Sequence, residues 1–159
     1  MQVGLISTCY NDVHAIRDSV RSILDDLLGD TVQVGSSLHP WRWLILDVGS
    51  TDGTWEDLCA VTEGRSNVMA VQLRIARGRM VRGSARNVAA GLSESDVFVH
   101  AIDTDVIYNP GAIPLVMLEF EKNGGRPMAG DQYFIIHAGD FWSVGGYDGV
   151  QVEEDFKIY

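Results

Sequence analysis

Residues 43–54 read WLILDVGSTDGT, an apolar run that passes abruptly into glycine, small hydroxyl residues and aspartate. A short apolar run that ends in turn residues predicts a buried strand over 43–48, and the polar residues that follow predict a helix over 54–63. Asp47 closes the apolar run, where a charge without a partner is costly, so we expect it to hydrogen-bond a base or sugar edge. The loop lacks the spacings GxxxxGKS/T and GxGxxG of the common phosphate-binding loops.

The alternation of apolar strand and amphipathic helix continues on both sides of this stretch. Strands are predicted over 3–7, 68–73, 97–102 and 133–137, and helices from Asn11 or Asp12 to about Leu28, over 82–93 and over 114–122. Residues 29–40 are expected to form a loop. Alternating elements of this length predict an α/β fold with a mostly parallel sheet and helices on both faces. Ligands of such sheets bind beyond the carboxyl ends of the strands, which directs attention to residues 8–11, 47–52 and 103–105.

Length and composition limit the class of protein. The chain has 159 residues, enough for one domain, and 12 Lys+Arg against 22 Asp+Glu give a formal net charge of −10. A field of that sign repels nucleic acid and anionic lipid, so neither is expected as a partner. Cys9 and Cys59 are too few for a disulfide framework and lack metal-ligand spacing. With no apolar run near the roughly 20 residues of a membrane span and no signal-peptide pattern, we expect a soluble intracellular protein, cytoplasmic or peripheral to the membrane.

The charge is unevenly spread along the chain. No acidic residue lies between Glu63 and Glu94, and this stretch holds six arginines: Arg65, Arg74, Arg77, Arg79, Arg82 and Arg86. A cationic strip in an acidic protein is typical of a site for a small anionic ligand, because guanidinium groups fork onto phosphates. A solvated helix face, or a strip neutralised by carboxylates elsewhere, is the alternative interpretation.

Asp103-Thr104-Asp105 follows the predicted strand at its carboxyl end. Side chains two residues apart project to the same side of an extended chain, so both carboxylates can converge on one hard cation. Two carboxylates suit Mg²⁺ or Mn²⁺ with water and ligand phosphates completing the shell. The alternative is a loop whose acids cap the next element. The nearby arginine strip favours metal plus phosphate.

The C-terminal part of the chain carries three acids, Glu153 to Asp155, after the glycine-rich turn VGGYDGV at residues 144–150. These acids can cap a final helix at its N-terminus, or one of them can act as a general base. Trp142, beside the turn, is a candidate for stacking on a sugar. His100 lies within an apolar strand and is expected to be a satisfied core residue.

Five segments, taken in order, resemble motifs of the family 2 glycosyltransferases. They are STCYND (7–12), similar to the opening S/T-x-YN; LILDVGSTDGT (44–54), similar to D-D-x-S-x-D-G-T; GSARNVAAGLSESD (83–96), similar to the G-x-ARN-x-G-x-x-A-x-G-D helix; DTD (103–105), similar to the metal-binding D-x-D; and VGGYDGVQVEEDFKI (144–158), similar to the GG-F/Y-D-E and ED-x-x-L acceptor-side motif. Val48 and Val106 stand where many relatives carry a further acid.

The resemblance implies the GT-A fold, a Rossmann-like, mostly parallel sheet with helices on both faces. Because only four residues follow Asp155, we expect a minimal or C-terminally truncated member. The resemblance implies one domain in which residues 1–105 bind a nucleotide-diphospho-sugar, UDP- or GDP-linked, and residues 106–159 carry the acceptor side and the catalytic base.

The resemblance also assigns roles to residues. It places the nucleoside against Thr8, Tyr10 and Asp47, with Asp47 on the nucleobase, and the nucleobase or diphosphate against Arg82 or Arg86. It places the ribose or metal against Asp103, the nucleotide-sugar against Thr104, and Mn²⁺ or Mg²⁺ on Asp105 together with Asp103. The catalytic base would be Asp155, with Glu154 beside it, and the acceptor edge would be formed by Trp142, Gly145 and Gly146.

These roles predict a metal-dependent inverting glycosyltransferase, because one metal site plus one separate base fits a single displacement. The acceptor is expected to be a hydroxyl compound that the sequence does not identify, and a homodimer stays open. Two alternatives remain open. The first is a non-catalytic module that binds a nucleotide or nucleotide-sugar, or a fragment that needs a partner chain. The second is a nucleotidyltransferase of similar fold.

Overall fold

The computed structural model of the chain describes residues 1–27, 29–74, 82–100, 102–130 and 133–147. The elements in these residues are β1 (Val3–Cys9), α1 (Ile16–Asp26), β2 (Thr31–Val34), β3 (Ser37–Asp47), α2 (Thr54–Thr62), β4 (Val68–Gln72), α3 (Arg82–Ser93), β5 (Val97–His100), α4 (Ala112–Lys122), β6 (Met128–Gly130), β7 (Tyr133–His137) and α5 (Ala138–Ser143). The nine predicted strands and helices are all present.

The centre of the sheet is parallel, as the sequence predicts. β1 lies between β3 and β5 and is parallel to both, and β4 is parallel to β3. The register pairs Cys9 with Asp47 and Asp47 with Gln72. Three strands therefore end at the same level, and their carboxyl ends form one edge of the sheet.

Antiparallel strands complete the sheet on both sides. β7 runs antiparallel to β5 and to β6, and β2 runs antiparallel to the first half of β3. The prediction that residues 29–40 form a loop is wrong, because β2 and the start of β3 make a hairpin there. Gly35, with a φ of 57°, and Ser36 form its two-residue turn, and the valines Val32 and Val34 are buried.

Alternation along β3 builds two cores, one on each face of the sheet. Trp43 and Ile45 pack with the apolar face of α1 and with α4, whereas Leu44 and Leu46 pack with α3 and α5. A strand that is buried on both faces reads as a continuous apolar run, which is why residues 43–48 were the clearest strand in the sequence.

Two helices differ from the prediction. The first helix begins at Ile16 rather than at Asn11 or Asp12, because Asn11 has a φ of 57° and the Asp12 carboxylate accepts hydrogen bonds away from the helix. The short helix α5 was not predicted at all, since its six residues AGDFWS carry no helical periodicity.

A substitution at Gly4 tests how closely β1 packs against Ser95. A Cβ at this position would lie 2.7 Å from Oγ and 2.8 Å from Cβ of Ser95. We expect Gly4→Ala to lower the free energy of unfolding by about 1–3 kcal/mol through overpacking. Gly91→Ala is the matched control, because nothing lies within 4 Å of its added Cβ and a helical alanine is favoured by about 0.5–1 kcal/mol. Urea unfolding followed by tryptophan fluorescence measures both; equal stability of Gly4→Ala and wild type would contradict the close contact.

Candidate functional site

Three polar segments meet at the edge formed by the carboxyl ends of the strands. They are residues 8–13, which begin in the last residues of β1; residues 47–54, which begin with the last residue of β3; and residues 102–105, beyond β5. Hydrogen bonds that involve side chains join the first segment to each of the other two, and they link residues about 40 to 92 positions apart in sequence. The edge that the sequence singled out is therefore one connected polar surface.

Asp47 lies at the centre of the edge with no exposed surface. Its Oδ1 accepts hydrogen bonds from the amide and the hydroxyl of Ser50, and its Oδ2 accepts one from Nε2 of Gln72 at 2.9 Å. The buried charge thus has protein partners on both oxygens, which offsets its desolvation. The contact with a nucleobase stays a prediction. Gln72 was missed in the sequence, where nothing distinguishes it from other polar residues at strand ends.

The segments after β1 and β3 are joined by side-chain hydrogen bonds. The amide of Asn11 donates to Ser50 Oγ at 2.9 Å, and the amide of Thr51 donates to Asn11 Oδ1 at 3.0 Å. Asp52 accepts from the amide of Val13 and from the amide and hydroxyl of Thr54. Desolvation raises the pKa of the exposed Asp52 carboxyl, but these hydrogen bonds outweigh it and the pKa falls below its usual value.

Asp103-Thr104-Asp105 has a buried middle residue between two acids that reach the surface. The side chain of Thr104 is only 2% exposed, whereas Asp103 is half-buried and Asp105 is exposed. The backbone of Asp103 is fixed on both sides: its amide donates to the Tyr108 hydroxyl at 2.8 Å and its carbonyl accepts from Ser19 Oγ at 3.1 Å. Burial, and then the charge of Asp103, raise the pKa of the Tyr108 phenol.

The arginine strip reaches this site through Arg86. The Arg86 guanidinium is buried, donates from Nη2 to Asp103 Oδ1 at 3.4 Å, and lies 5.7 Å from the centre of the Tyr147 ring. Arg86 therefore contacts the first acid of the motif. The side chain of Arg82, the alternative, lies outside the described residues.

Asp12 was considered in the sequence only as a helix cap. The structure places its carboxylate against the motif, where Oδ2 accepts from Thr104 Oγ1 at 2.8 Å and from the amide of Tyr10 at 3.3 Å. Burial raises the pKa of the Asp12 carboxyl, the two hydrogen bonds oppose this, and the charges of Asp105 and Asp52 raise it further. The carboxylates at the edge are therefore close enough to repel one another.

Thr8 and Tyr10 occupy the end of β1. Thr8 is half-buried, and the ring of Tyr10 is 41% exposed at the rim of the edge. Cys9, between them, points into the core within 4.0 Å of Asp47 Oδ1. Burial, followed by the charge of Asp47, raises the pKa of the Cys9 thiol strongly, so this thiol stays protonated. The exposed Cys59 lies on α2.

The acceptor-side residues follow β7. Gly145 and Gly146 have φ values of 86° and 71°, and a Cβ on Gly146 would lie 2.6 Å from Asn87 Oδ1. Asn87 holds this segment to α3, because its side chain pairs with both the amide and the carbonyl of Tyr147 at 2.9 Å. The Trp142 ring packs edge-on against Phe141 and Phe98, beside the middle of β5. Asp155 and Glu154 lie outside the described residues.

The donor set of the motif fits a hard divalent cation. Asp103 and Asp105 supply carboxylate oxygens at the end of one strand, the ligands that Mn²⁺ and Mg²⁺ take in proteins. In the described ranges no group of three or more His, Cys, Asp or Glu side chains is arranged to hold a metal ion. None of the helices in these ranges has the length and apolar character to cross a bilayer.

Comparison with known families agrees with this geometry. The model of glycosyl transferase family 2 matches residues 5–145. The chain therefore belongs to glycosyl transferase family 2, and its fold is the GT-A fold, as the sequence motifs indicated. No curated protein is similar enough to match.

Several solved structures share the fold at 15% sequence identity. The mannosyltransferase PcManGT from Pyrobaculum calidifontis, in complex with GDP-Man and Mn²⁺, has a TM-score of 0.72 over 92% of this chain and 47% of its own. S. aureus TarS 1–349 has a TM-score of 0.73 over 98% of this chain and 53% of its own. Glucosyl-3-phosphoglycerate synthase from Mycobacterium tuberculosis, in complex with Mn²⁺, UDP and glucosyl-3-phosphoglycerate, has a TM-score of 0.60 over 90% and 59%. This chain spans about half the length of these structures.

His100 ends β5 immediately behind the motif and is fully buried among aromatic rings. Ring centres of Phe141, Tyr147 and Phe98 lie 4.7, 5.2 and 5.5 Å from its own. His100 is a buried residue of the core, as expected. Neither ring nitrogen has a hydrogen-bond partner within the described part of the chain, however, so the expectation that these nitrogens are satisfied is wrong. Burial, and then the charge of Arg86, lower the pKa of His100 to about 3.

His100 should therefore make the protein sensitive to mild acid. Because its folded pKa is lower than its unfolded pKa of about 6.5, the stability that it supports is present above pH 6.5 and is lost as the pH falls toward 3. Between pH 7.5 and pH 5, we expect wild type to lose about 2 kcal/mol relative to His100→Leu in urea unfolding. Phe141→Leu is the control, because it alters the same cluster without removing a titratable group. Parallel pH profiles of wild type and His100→Leu would contradict the assignment.

Proposed function

We propose that this chain carries the donor site of a metal-dependent, inverting glycosyltransferase that uses a nucleotide-diphospho-sugar. The observation that carries the proposal is the position of Asp103 and Asp105. Both acids reach the surface at the end of β5, Arg86 donates to the first of them, and the segments after β1 and β3 lie at the same edge. In a family 2 glycosyltransferase this arrangement suits a diphosphate and its cation.

The donor would span this edge. Tyr10, whose ring is exposed, and Thr8 are proposed to face the nucleoside together with the loop that Asp47 holds. Asp103 and Thr104 are proposed to lie at the ribose and diphosphate, and Asp105 with Asp103 would hold Mn²⁺ or Mg²⁺. A bound divalent ion would neutralise the charge that develops on the departing nucleoside diphosphate.

Arg86 would hold the first acid of the motif in place. Its buried guanidinium donates to Asp103 Oδ1 at 3.4 Å, a charge-assisted hydrogen bond that would orient this carboxylate at the edge of the sheet. Arg86 is held in turn by the ring of Tyr147. The cationic group near the diphosphate is thus fixed before a donor binds, which lowers the entropy cost of binding.

The proposed division of labour follows the chain. Residues 1–105 would bind the donor and residues 106–159 would form the acceptor side, with Gly145, Gly146 and Trp142 at its edge. Asp155 is proposed as the general base that takes the proton from the acceptor hydroxyl, with Glu154 beside it. One such base, opposite a leaving diphosphate, corresponds to single displacement with inversion.

The proposed donor is a UDP- or GDP-linked sugar. PcManGT is described in complex with GDP-Man, and TarS with UDP and with UDP-GlcNAc, which supports the class of donor but not a particular sugar. The acceptor would be a hydroxyl compound. The activity of the whole protein is part of this proposal, because the solved structures extend well beyond the part matched here.

Asp105→Ala tests the donor site directly. We expect one of UDP, GDP, CDP and TDP to raise the melting temperature of wild type in Mn²⁺ but not in EDTA, by about 5–10 °C at 100 times its dissociation constant. The shift should disappear in Asp105→Ala and persist in Asp140→Ala, an exposed acid at the start of α5. No shift with any of the four nucleotides would contradict the proposed donor site.

Asp155→Asn tests the proposed base. General-base help is typically worth 10²–10⁴-fold, so we expect turnover with a donor and acceptor to fall by about that factor while nucleotide affinity is unchanged. Glu154→Gln is the matched control and should retain most of the turnover. Unchanged turnover in Asp155→Asn would overturn the base assignment. Binding of donor by wild type with neither transfer nor slow hydrolysis would favour a non-catalytic binding module.

A further inference from the structure

We propose that Asp12 is a positioning residue that fixes the Asp103-Thr104-Asp105 segment relative to the end of β1 through its hydrogen bond with Thr104. The proposal rests on the proposed function, since it concerns how the cation-binding acids are set against the nucleoside side of the same site. Asp12 itself need not touch donor or cation.

The first step is the contact between the two segments. Thr104 Oγ1 donates to Asp12 Oδ2 at 2.8 Å, although the two residues are 92 positions apart in sequence. The same carboxylate oxygen accepts the amide of Tyr10 at 3.3 Å. A single oxygen atom thus joins the backbone after β1 to the middle residue of the motif.

The second step is that Asp12 is itself fixed. Its amide donates to Thr54 Oγ1 at 2.7 Å, and that hydroxyl donates to Asp52 Oδ1 at 2.6 Å. The carboxylate is therefore anchored through its own backbone to the first residue of α2. Because the Asp12 carboxylate is held in this way, it cannot move freely with Thr104. Its hydrogen bond therefore fixes Thr104 relative to the segment after β1.

The third step is the alternation within the motif. Thr104 is buried and the acids on either side of it reach the surface, so the anchoring of Thr104 determines how both carboxylates are presented. Asp103 has its own backbone anchors in Tyr108 and Ser19. Thr104 directly precedes Asp105 in the chain, so the hydrogen bond of its hydroxyl to Asp12 acts next to the second acid.

The consequence is that loss of this hydrogen bond should act mainly on cation-dependent binding. Nucleoside contacts at Thr8 and Tyr10 would remain, whereas Asp105 would sample a wider range of positions. The change should therefore weaken the enhancement that Mn²⁺ gives to nucleotide binding more than it weakens nucleotide binding in EDTA.

Thr104→Val and Thr104→Ser form a matched pair for the test. Valine keeps the shape of the buried side chain and removes the donor, and serine keeps the donor. We expect calorimetry with the nucleotide selected by wild type to show that Thr104→Val and Asp12→Ala each reduce the ratio of affinities in Mn²⁺ and EDTA about tenfold, the loss expected for one hydrogen bond. Asp12→Asn, whose amide oxygen can still accept the Thr104 hydroxyl, should stay close to the wild-type ratio. Thr104→Ser is the matched variant for hydrogen exchange on the ligand-free protein.

Amide hydrogen exchange on the ligand-free protein provides a readout that does not depend on nucleotide binding. Thr104→Val and Asp12→Ala should each speed exchange in both residues 8–12 and residues 102–106, and the double variant should add little to either. Thr104→Ser should exchange like wild type. A global loss of stability would instead speed exchange throughout the sheet.

The outcomes separate the two proposals. If wild type binds a nucleotide with Mn²⁺ but Thr104→Val keeps the wild-type ratio, Asp12 has no positioning role. If wild type binds no nucleotide in Mn²⁺, the proposed function fails, and hydrogen exchange alone decides about Asp12. Equal exchange in Thr104→Val and Thr104→Ser, or faster exchange confined to residues 102–106, would overturn the positioning role in either case.

Discussion

Burial of β3 on both faces is the constraint on which the rest of the structure depends. Trp43 and Ile45 enter one core and Leu44 and Leu46 the other, and each such side chain contributes roughly 1.5–3 kcal/mol when fully buried. The buried half of β3, residues 43–47, is apolar up to its last residue, Asp47. Asp47 is fully buried as well, and it obtains hydrogen-bond partners from its own loop and from Gln72 of β4.

The parts of the fold that the sequence predicted are those where burial leaves a periodic pattern. The run at residues 43–48 is apolar because both faces are covered, and the helix over 82–93 begins and ends where its pattern begins and ends. The hairpin at residues 31–40 was missed because only Val32 and Val34 of its short alternation are buried apolar residues. The helix α5 was missed because a helix of six residues depends on its contacts with the core rather than on its own pattern.

For the site, the sequence predicted which residue types stand at the strand ends but not which atoms meet. The motif letters identified Asp103 and Asp105, and in the structure both acids reach the surface. The same letters left Arg82 and Arg86 as equal candidates for the contact with the nucleotide. The contact of Arg86 with Asp103 follows from how α3 packs on the sheet, and no spacing in the sequence encodes that distance. Asp12 and Thr104, 92 residues apart, meet only because β1 and β5 are neighbours in the parallel sheet.

The contrast between the two cysteines has a practical consequence for following the site in solution. Cys9 is buried beside Asp47, whereas Cys59 is exposed on α2. The pKa of both thiols is raised, that of Cys59 by partial burial and then by the charge of Glu56, so the difference in reactivity comes from access to Cys59 rather than from its ionisation. A thiol-directed spin label or fluorophore added to the unmodified chain would therefore attach at one defined place. That place lies on the helix whose first residue, Thr54, receives the amide of Asp12. The protein thus carries a built-in attachment point for a probe of motion at the edge of the sheet, without any cysteine having to be removed.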